Sequence, residues 1–87
     1  MTHHIEVLGF DCTACRKTFR LIGEVAQELD IDIRLEKVSD PARIAAYRAL
    51  AVPAVAIDGK LLHSGSLPSR KTITAWLTTH MQIEKSD

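Results

Sequence analysis

The spacing of apolar residues switches repeatedly between a period of two and a period near 3.6, and this constrains the fold more than any single residue. Residues 3–8, His-His-Ile-Glu-Val-Leu, have strand character with Ile5 and Val7 on one face, and Gly9 through Asp11 interrupt them. Cys15, Phe19, Ile22, Ala26 and Leu29 then recur at intervals of four, three, four and three, the buried stripe of an amphipathic helix. Over residues 13–29 such a helix is about 25 Å long. Asp30 ends it, and residues 31–36 alternate strictly, with Ile31, Ile33 and Leu35 on one face and charges on the other. That pattern suits an edge strand. Asp40 is a candidate N-cap with Pro41 at the first helical position, opening a short helix to about Leu50 that buries Ile44, Ala45 and Tyr47 and leaves Arg43 and Arg48 to water.

The second half continues the alternation. Ala54-Val55-Ala56-Ile57 is uninterrupted apolar chain, as in a strand buried on both faces, and Asp58-Gly59 is a two-residue hairpin signal returning the chain along Lys60 to His63. Ser69 can cap a last helix, to about Met81, whose buried face carries Ile73, Trp76, Leu77 and Met81. The order is β-α-β-α-β-β-α. Strands separated by helices are expected to be parallel and the hairpin to add an antiparallel strand, giving an α/β protein with a four-stranded mixed sheet and helices on both faces.

Eighty-seven residues suffice for one domain, residues 1–87, and no linker or repeat divides them. Eleven basic residues balance eleven acidic ones, with no basic stripe, which argues against nucleic acid as a partner. The apolar stretch from Leu50 to Ile57 contains Pro53 and is too short to cross a bilayer. The opening Met-Thr-His-His-Ile-Glu has neither a charged lead nor an apolar signal core, so a cytosolic protein is expected.

In that compartment two cysteines seldom form a merely structural bond. A bridge between Cys12 and Cys15 would close a loop so short that chain entropy gives it only about 2 kcal/mol. The pair is better suited to switching between oxidised and reduced forms. It falls at a strand-to-helix junction, which puts Cys12 where unpaired N–H groups and the helix dipole favour a negative sulfur. Thiolate is the nucleophile in disulfide exchange, so Cys12 is expected to attack. Cys15, one turn later on the buried face, is expected to resolve the mixed disulfide. Arg16 and Lys17 favour the thiolate and Asp11 opposes it, making these three the candidate modulators of its charge.

Cysteine pairs at this spacing also bind zinc, which needs four ligands. His3 and His4 point to opposite faces of a strand, and His63 and His80 lie far along the chain, so no metal is expected. The histidines are expected at the surface, and no cofactor is called for.

Cys-Thr-Ala-Cys at the first helix, Ala-Val-Pro-Ala-Val before the hairpin and Ile-Asp-Gly-Lys at the turn resemble the thioredoxin superfamily. The small size is similar to that of glutaredoxins and of the small redox-active disulfide proteins of archaea and bacteria. The resemblance covers about residues 4–80 and implies a thioredoxin-like fold and a thiol–disulfide oxidoreductase. It also implies a cis Val52–Pro53 bond beside the cysteines, with Phe10, Val52 and Pro53 contacting substrate. Phe10-Asp11 and Thr13-Ala14 depart from the thioredoxin pattern, where Trp precedes the first cysteine and Gly-Pro separates the two. His63-Ser64-Gly65-Ser66 lacks most of the glutathione-binding pattern of glutaredoxins. Protein disulfides are therefore the expected substrates, with a reductase or low-molecular-weight thiol for recycling and the chain acting as a monomer. Gly9-Phe10-Asp11-Cys12-Thr13-Ala14-Cys15 is also similar to the loop of heavy-metal-associated domains, which pass Cu(I) between two thiolates. Those domains finish on a strand, whereas a final helix is expected here. A non-catalytic interaction domain of the same superfamily is a third alternative, although such domains often lose one of the two cysteines.

Overall fold

In the computed structural model, residues 3–10 and 12–85 are described, with side chains as far as Thr79. The elements are β1 (His3–Leu8), α1 (Thr13–Glu28), β2 (Ile33–Val38), α2 (Pro41–Ala46), β3 (Ala54–Ile57), β4 (Lys60–Ser64) and α3 (Arg70–Lys85), the order expected from the sequence. The strands form one mixed sheet, β2-β1-β3-β4. The alternating strand β2 is an edge and the wholly apolar strand β3 is central. No helix among the described residues is long and apolar enough to cross a membrane.

Strand direction departs from expectation at β3. β1 and β2 are parallel, but β3 runs antiparallel to β1, with Leu8 opposite Ala54 and Ile5 opposite Ile57. The reason is length. A six-residue strand such as β2 advances the chain about 20 Å, whereas the six-residue α2 retraces only about 9 Å. Residues 47–53 do not make up the difference, and Ala54 enters the sheet opposite Leu8, at the end where β2 leaves it.

The two sides of the sheet are covered differently. Ile5 and Val7 of β1 join Val55 and Ile57 of β3 in a core with Ile22, Val25 and Ala26 of α1 and Ile73 and Leu77 of α3. On the opposite side Leu8, Val38 and Ala54 form a smaller cluster with Ile44 of α2. Helices thus lie on both faces.

Several local details differ from the periodicity. Thr18 is buried on α1, its hydroxyl donating to the Ala14 carbonyl at 2.7 Å, while Phe19 is partly buried and Leu29, at the C-cap, is exposed. Asp30 turns the helix off with φ 56°, and the Ile31 N–H bonds back to Ala26 O at 2.9 Å, so β2 starts two residues later than the alternation suggests. Asp40 caps α2, accepting from the Ala42 N–H at 3.0 Å, but that helix stops before Arg48, whose φ is 58°. Ala45 is exposed and Leu50 is 97 % exposed, so neither joins the core. Trp76 packs partly buried against the main core and tilts against the His63 ring. His3 and His4 are half-buried rather than free at the surface: His3 Nδ1 pairs with Asp58 Oδ2 at 2.6 Å and His4 Nε2 with Glu36 Oε1 at 2.9 Å. The side chains of His80 and Met81 lie outside the described residues.

Candidate active site

β1 delivers the chain to the site through Gly9. Its N–H donates to the Val38 carbonyl at 2.9 Å, extending the pairing with β2 by one residue before the backbone turns away. A Cβ at this buried position would collide with Cys15 Sγ and stand 3.6 Å from Val52 Cβ. Gly9, Cys15 and Val52 therefore meet, and the close approach leaves no room for a side chain at residue 9.

Cys12 is the N-cap of α1 in extended conformation, with φ −89° and ψ 165°. Its Sγ accepts from the Cys15 N–H at 3.2 Å, and its carbonyl accepts from the Arg16 N–H at 3.0 Å. An N-cap leaves the first N–H groups of the helix in need of acceptors, and sulfur takes one of them here. Cys12 and Cys15 form a disulfide with Cα atoms 5.1 Å apart. Their environments differ. Cys12 is exposed, whereas Cys15 is only 1 % exposed. No acidic residue stands in the first turn of α1, and Arg16 and Lys17 are exposed beside it. Asp11 lies outside the described residues.

The Val52–Pro53 peptide is cis, with Pro53 buried and Val52 half-buried. The segment is tied to the start of the β4–α3 loop. Gly65 N–H donates to Pro53 O at 2.9 Å and Ser64 Oγ to Ala51 O at 3.2 Å. Gly65 has φ 108°, a conformation L side chains rarely adopt. Phe10, two positions before Cys12, is 53 % exposed. The site is thus an exposed sulfur, a buried partner sulfur behind it, and a proline segment held by the end of the neighbouring strand β4.

Beneath α2 is a charged cluster that sequence reasoning missed. Glu6 of β1 is 5 % exposed and lies beside Glu36 of β2 in register. Two neighbouring carboxylates on one face repel. Arg43 relieves this by donating to both, with Nη1 on Glu36 at 2.9 Å and Nη2 on Glu6. The Tyr47 hydroxyl donates to the other Glu6 oxygen. Arg43 therefore does not simply face water. The hydrogen bond to Glu6, followed by burial, pushes the Tyr47 hydroxyl up to about 12. The hydrogen bonds from Arg43 and then His4 hold Glu36 below its ordinary value. At Asp58 burial opposes ionisation, but the bonds from His3 and the His4 N–H outweigh it and lower that carboxyl as well. The sequence signal for this cluster was Glu6 itself, a charge among the apolar residues 5–8 of the strand and on the same face as Leu8.

His4, Glu6 and Glu36 have ligand atoms within 4.8 Å of one another and are the one grouping among the described residues that could hold a metal ion. It contains neither cysteine, and the Arg43 guanidinium already bridges its two carboxylates. His63 donates to the Ser66 carbonyl at 2.7 Å and His3 pairs with Asp58, so these histidines do not gather into the zinc set weighed from sequence. After β4 the described residues form the helix α3, where the heavy-metal-associated alternative requires a strand.

Comparison with known proteins agrees with this geometry. Residues 3–78 match the family described as Thioredoxin domain. A protein named Thioredoxin from Methanocaldococcus jannaschii is 30 % identical over 78 residues, covering 90 % of each chain. Another of that name from Methanothermobacter thermautotrophicus is 30 % identical over 69 residues, 79 % of this chain and 90 % of the relative. Thioredoxin 1 from Thermosipho africanus TCF52B superposes with a TM-score of 0.68 at 23 % identity, covering 94 % of this chain and 98 % of that one, which extends the likeness to the fold.

Proposed function

The chain belongs to the thioredoxin domain family and is a thiol–disulfide oxidoreductase, and we propose that it acts on protein disulfides with Cys12 attacking and Cys15 resolving. The observation that carries this reading is the unequal exposure of two bonded sulfurs at the start of α1. Only Cys12 can be reached by a macromolecular disulfide. Only Cys15 is held within one helical turn of it.

In the dithiol form the Cys12 thiolate accepts the same Cys15 N–H that its sulfur accepts here, and the helix N-terminus favours its charge. The thiolate attacks one sulfur of the substrate disulfide. An S–S bond to Cys12 forms, the substrate S–S bond breaks, and one substrate sulfur leaves as thiolate. Cys15, having lost its proton, then attacks Cys12 Sγ, releasing the second substrate thiolate and restoring the Cys12–Cys15 disulfide. Two electrons pass from the protein to the substrate. A reductase or a low-molecular-weight thiol returns them. Val52 and Pro53, with Phe10, supply the surface against which the substrate segment lies; Arg16 and Lys17 add positive charge beside the thiolate, and Asp11 opposes it. The cycle fits a monomer in a cytosol kept reducing by such thiols.

The test is a trapping experiment with the two serine variants. Cys15→Ser should accumulate a mixed disulfide through Cys12 when mixed with an oxidised protein substrate, and Cys12→Ser should not. Absence of the adduct in both variants overturns the division of roles. A measured reduction potential then gives the direction of electron flow, values of roughly −270 to −200 mV marking a reductant.

A further inference from the structure

A groove of about 230 Å³ runs beside α1, lined by Lys17, Arg20, Leu21, Glu24 and Leu67. The first four are spaced as i, i+3, i+4 and i+7, a single stripe of the helix, and Leu67 of the β4–α3 loop forms the other wall. Leu67 is 43 % exposed although apolar, and Leu21 is partly buried, so the floor is hydrocarbon open to solvent.

The charges of the groove are not balanced. Glu24 faces the Arg70 guanidinium at 3.5 Å, and Arg70 also reaches Glu28 at 2.5 Å. Lys17 and Arg20 are exposed and form no ion pair among the described residues. What remains is an apolar floor under two cations without an ion-pair partner among the described residues. Its volume is below the roughly 300–1,000 Å³ of pockets that engulf a small molecule. It suits side chains of a passing peptide.

The position along the helix relates it to the disulfide. At 1.5 Å per residue, Lys17 and Arg20 stand about 7 and 12 Å along the axis from Cys12. An extended peptide covers about 3.3 Å per residue, so its residues two to four positions from a sulfur bonded to Cys12 reach those cations. We propose that this groove receives an acidic and apolar segment flanking the target cysteine of a protein substrate, making Arg20, Lys17 and Leu67 determinants of substrate choice. The proposal rests on the disulfide-exchange reading given above and adds the class of sequence preferred. Complementary charge of this kind acts on encounter and orientation more than on the chemical step.

The experiment uses the pre-reduced protein and two peptides whose single cysteine is capped by 2-mercaptoethanol as a mixed disulfide. One carries Glu and Leu within two to four positions on both sides of the cysteine, and the other carries Lys and Ser there. The single-turnover rate, read by acid quench and mass spectrometry, is expected to be about five- to tenfold higher for the acidic–apolar peptide at low salt. The ratio should fall in 1 M salt, where the Debye length is about 3 Å, to the part that the apolar contacts supply. Arg20→Gln should shrink the ratio and Arg20→Glu should shrink it further or invert it. Equal rates in the wild type, or an undiminished ratio in both Arg20 variants, overturn the groove. Bis(2-hydroxyethyl) disulfide separates this from the reading beneath it, because it has no flanking residues to reach the groove while its sulfur is at Cys12. If the wild-type protein reduces it without discriminating between the peptides, only the groove fails. If it does not reduce it, the disulfide-exchange reading fails too.

Discussion

The two faces of strand β1 are built on different physics. Ile5 and Val7 point into a core closed by α1 and α3. Glu6, between them in sequence, points to the other side, where Arg43 and Tyr47 of the α2 region converge on its carboxylate. Hydrocarbon burial is non-directional and holds the first face by area. The second face adds to its small Leu8–Val38–Ile44–Ala54 cluster a set of hydrogen bonds that need particular partners at particular distances, and among the described residues no buried side-chain nitrogen or oxygen is left without one. The difference teaches where rigidity comes from. α1, capped by Cys12 and carrying Cys15, is anchored on the larger apolar core, whereas α2, which leads into Val52 and Pro53, is fastened by charge as well as by Ile44.

The contrast can be broken from either side. Ile5→Ala should have the largest effect, about 2–5 kcal/mol of stability by chemical denaturation, because it opens a cavity in the closed core. Glu6→Ala should cost less, about 1.5–3 kcal/mol, since Arg43 is half exposed and can recover water while Tyr47 loses its acceptor. If the two variants prove equally destabilising, the faces are not distinct in kind. Tyr47→Phe should cost about 1.5 kcal/mol near neutral pH, the low end for the loss of one hydrogen bond to a carboxylate.

The pH dependence sharpens the same comparison. The Tyr47 hydroxyl titrates higher in the fold than its ordinary 10.0, at about 12, so its contribution is complete below pH 10 and is lost as pH rises toward 12. Tyr47→Phe should remove that part of the alkaline loss. Glu36 and Asp58 titrate below their ordinary 4.5 and 3.8, so they add stability above those values that disappears as pH falls through their lowered ones. Acid titration of Glu36→Gln, followed by circular dichroism, should show a shallower slope below pH 4.5 than the wild type. A variant slope equal to that of the wild type would remove Glu36 from the account. Leu50→Ser should have the smallest effect, within about 0.5 kcal/mol, because that side chain is 97 % exposed and belongs to neither face.

Much of this molecule was legible in short stretches of chain. The helix that bears the cysteines follows from the recurrence of Cys15, Ile22 and Ala26, and the hairpin from Asp58-Gly59, which adopt φ 51° and 85°. The unequal positions of Cys12 and Cys15 follow from one being an N-cap and the other standing on the apolar stripe. Gly9 looked only like a strand breaker, because the sulfur that excludes a side chain there comes back from the following helix. Gly65 carries no periodic signal in the sequence, and only the Pro53 carbonyl gives it a local task.

The sequence alone determined the order of elements, the edge and central strands, and the pairing of an accessible with an inaccessible cysteine. Each depends on residues within a turn or a strand of one another, where periodicity and capping act directly. The tertiary structure decided the direction of β3, the Glu6–Arg43–Glu36 cluster and the meeting of Gly9 with Cys15 and Val52. In two of these the partners stand more than thirty residues apart in sequence, as Glu6 and Arg43 do. The direction of β3 depends on how far α2 can carry the chain back. Pairing over such separations is set by how the sheet and its helices close on one another, which no local period encodes.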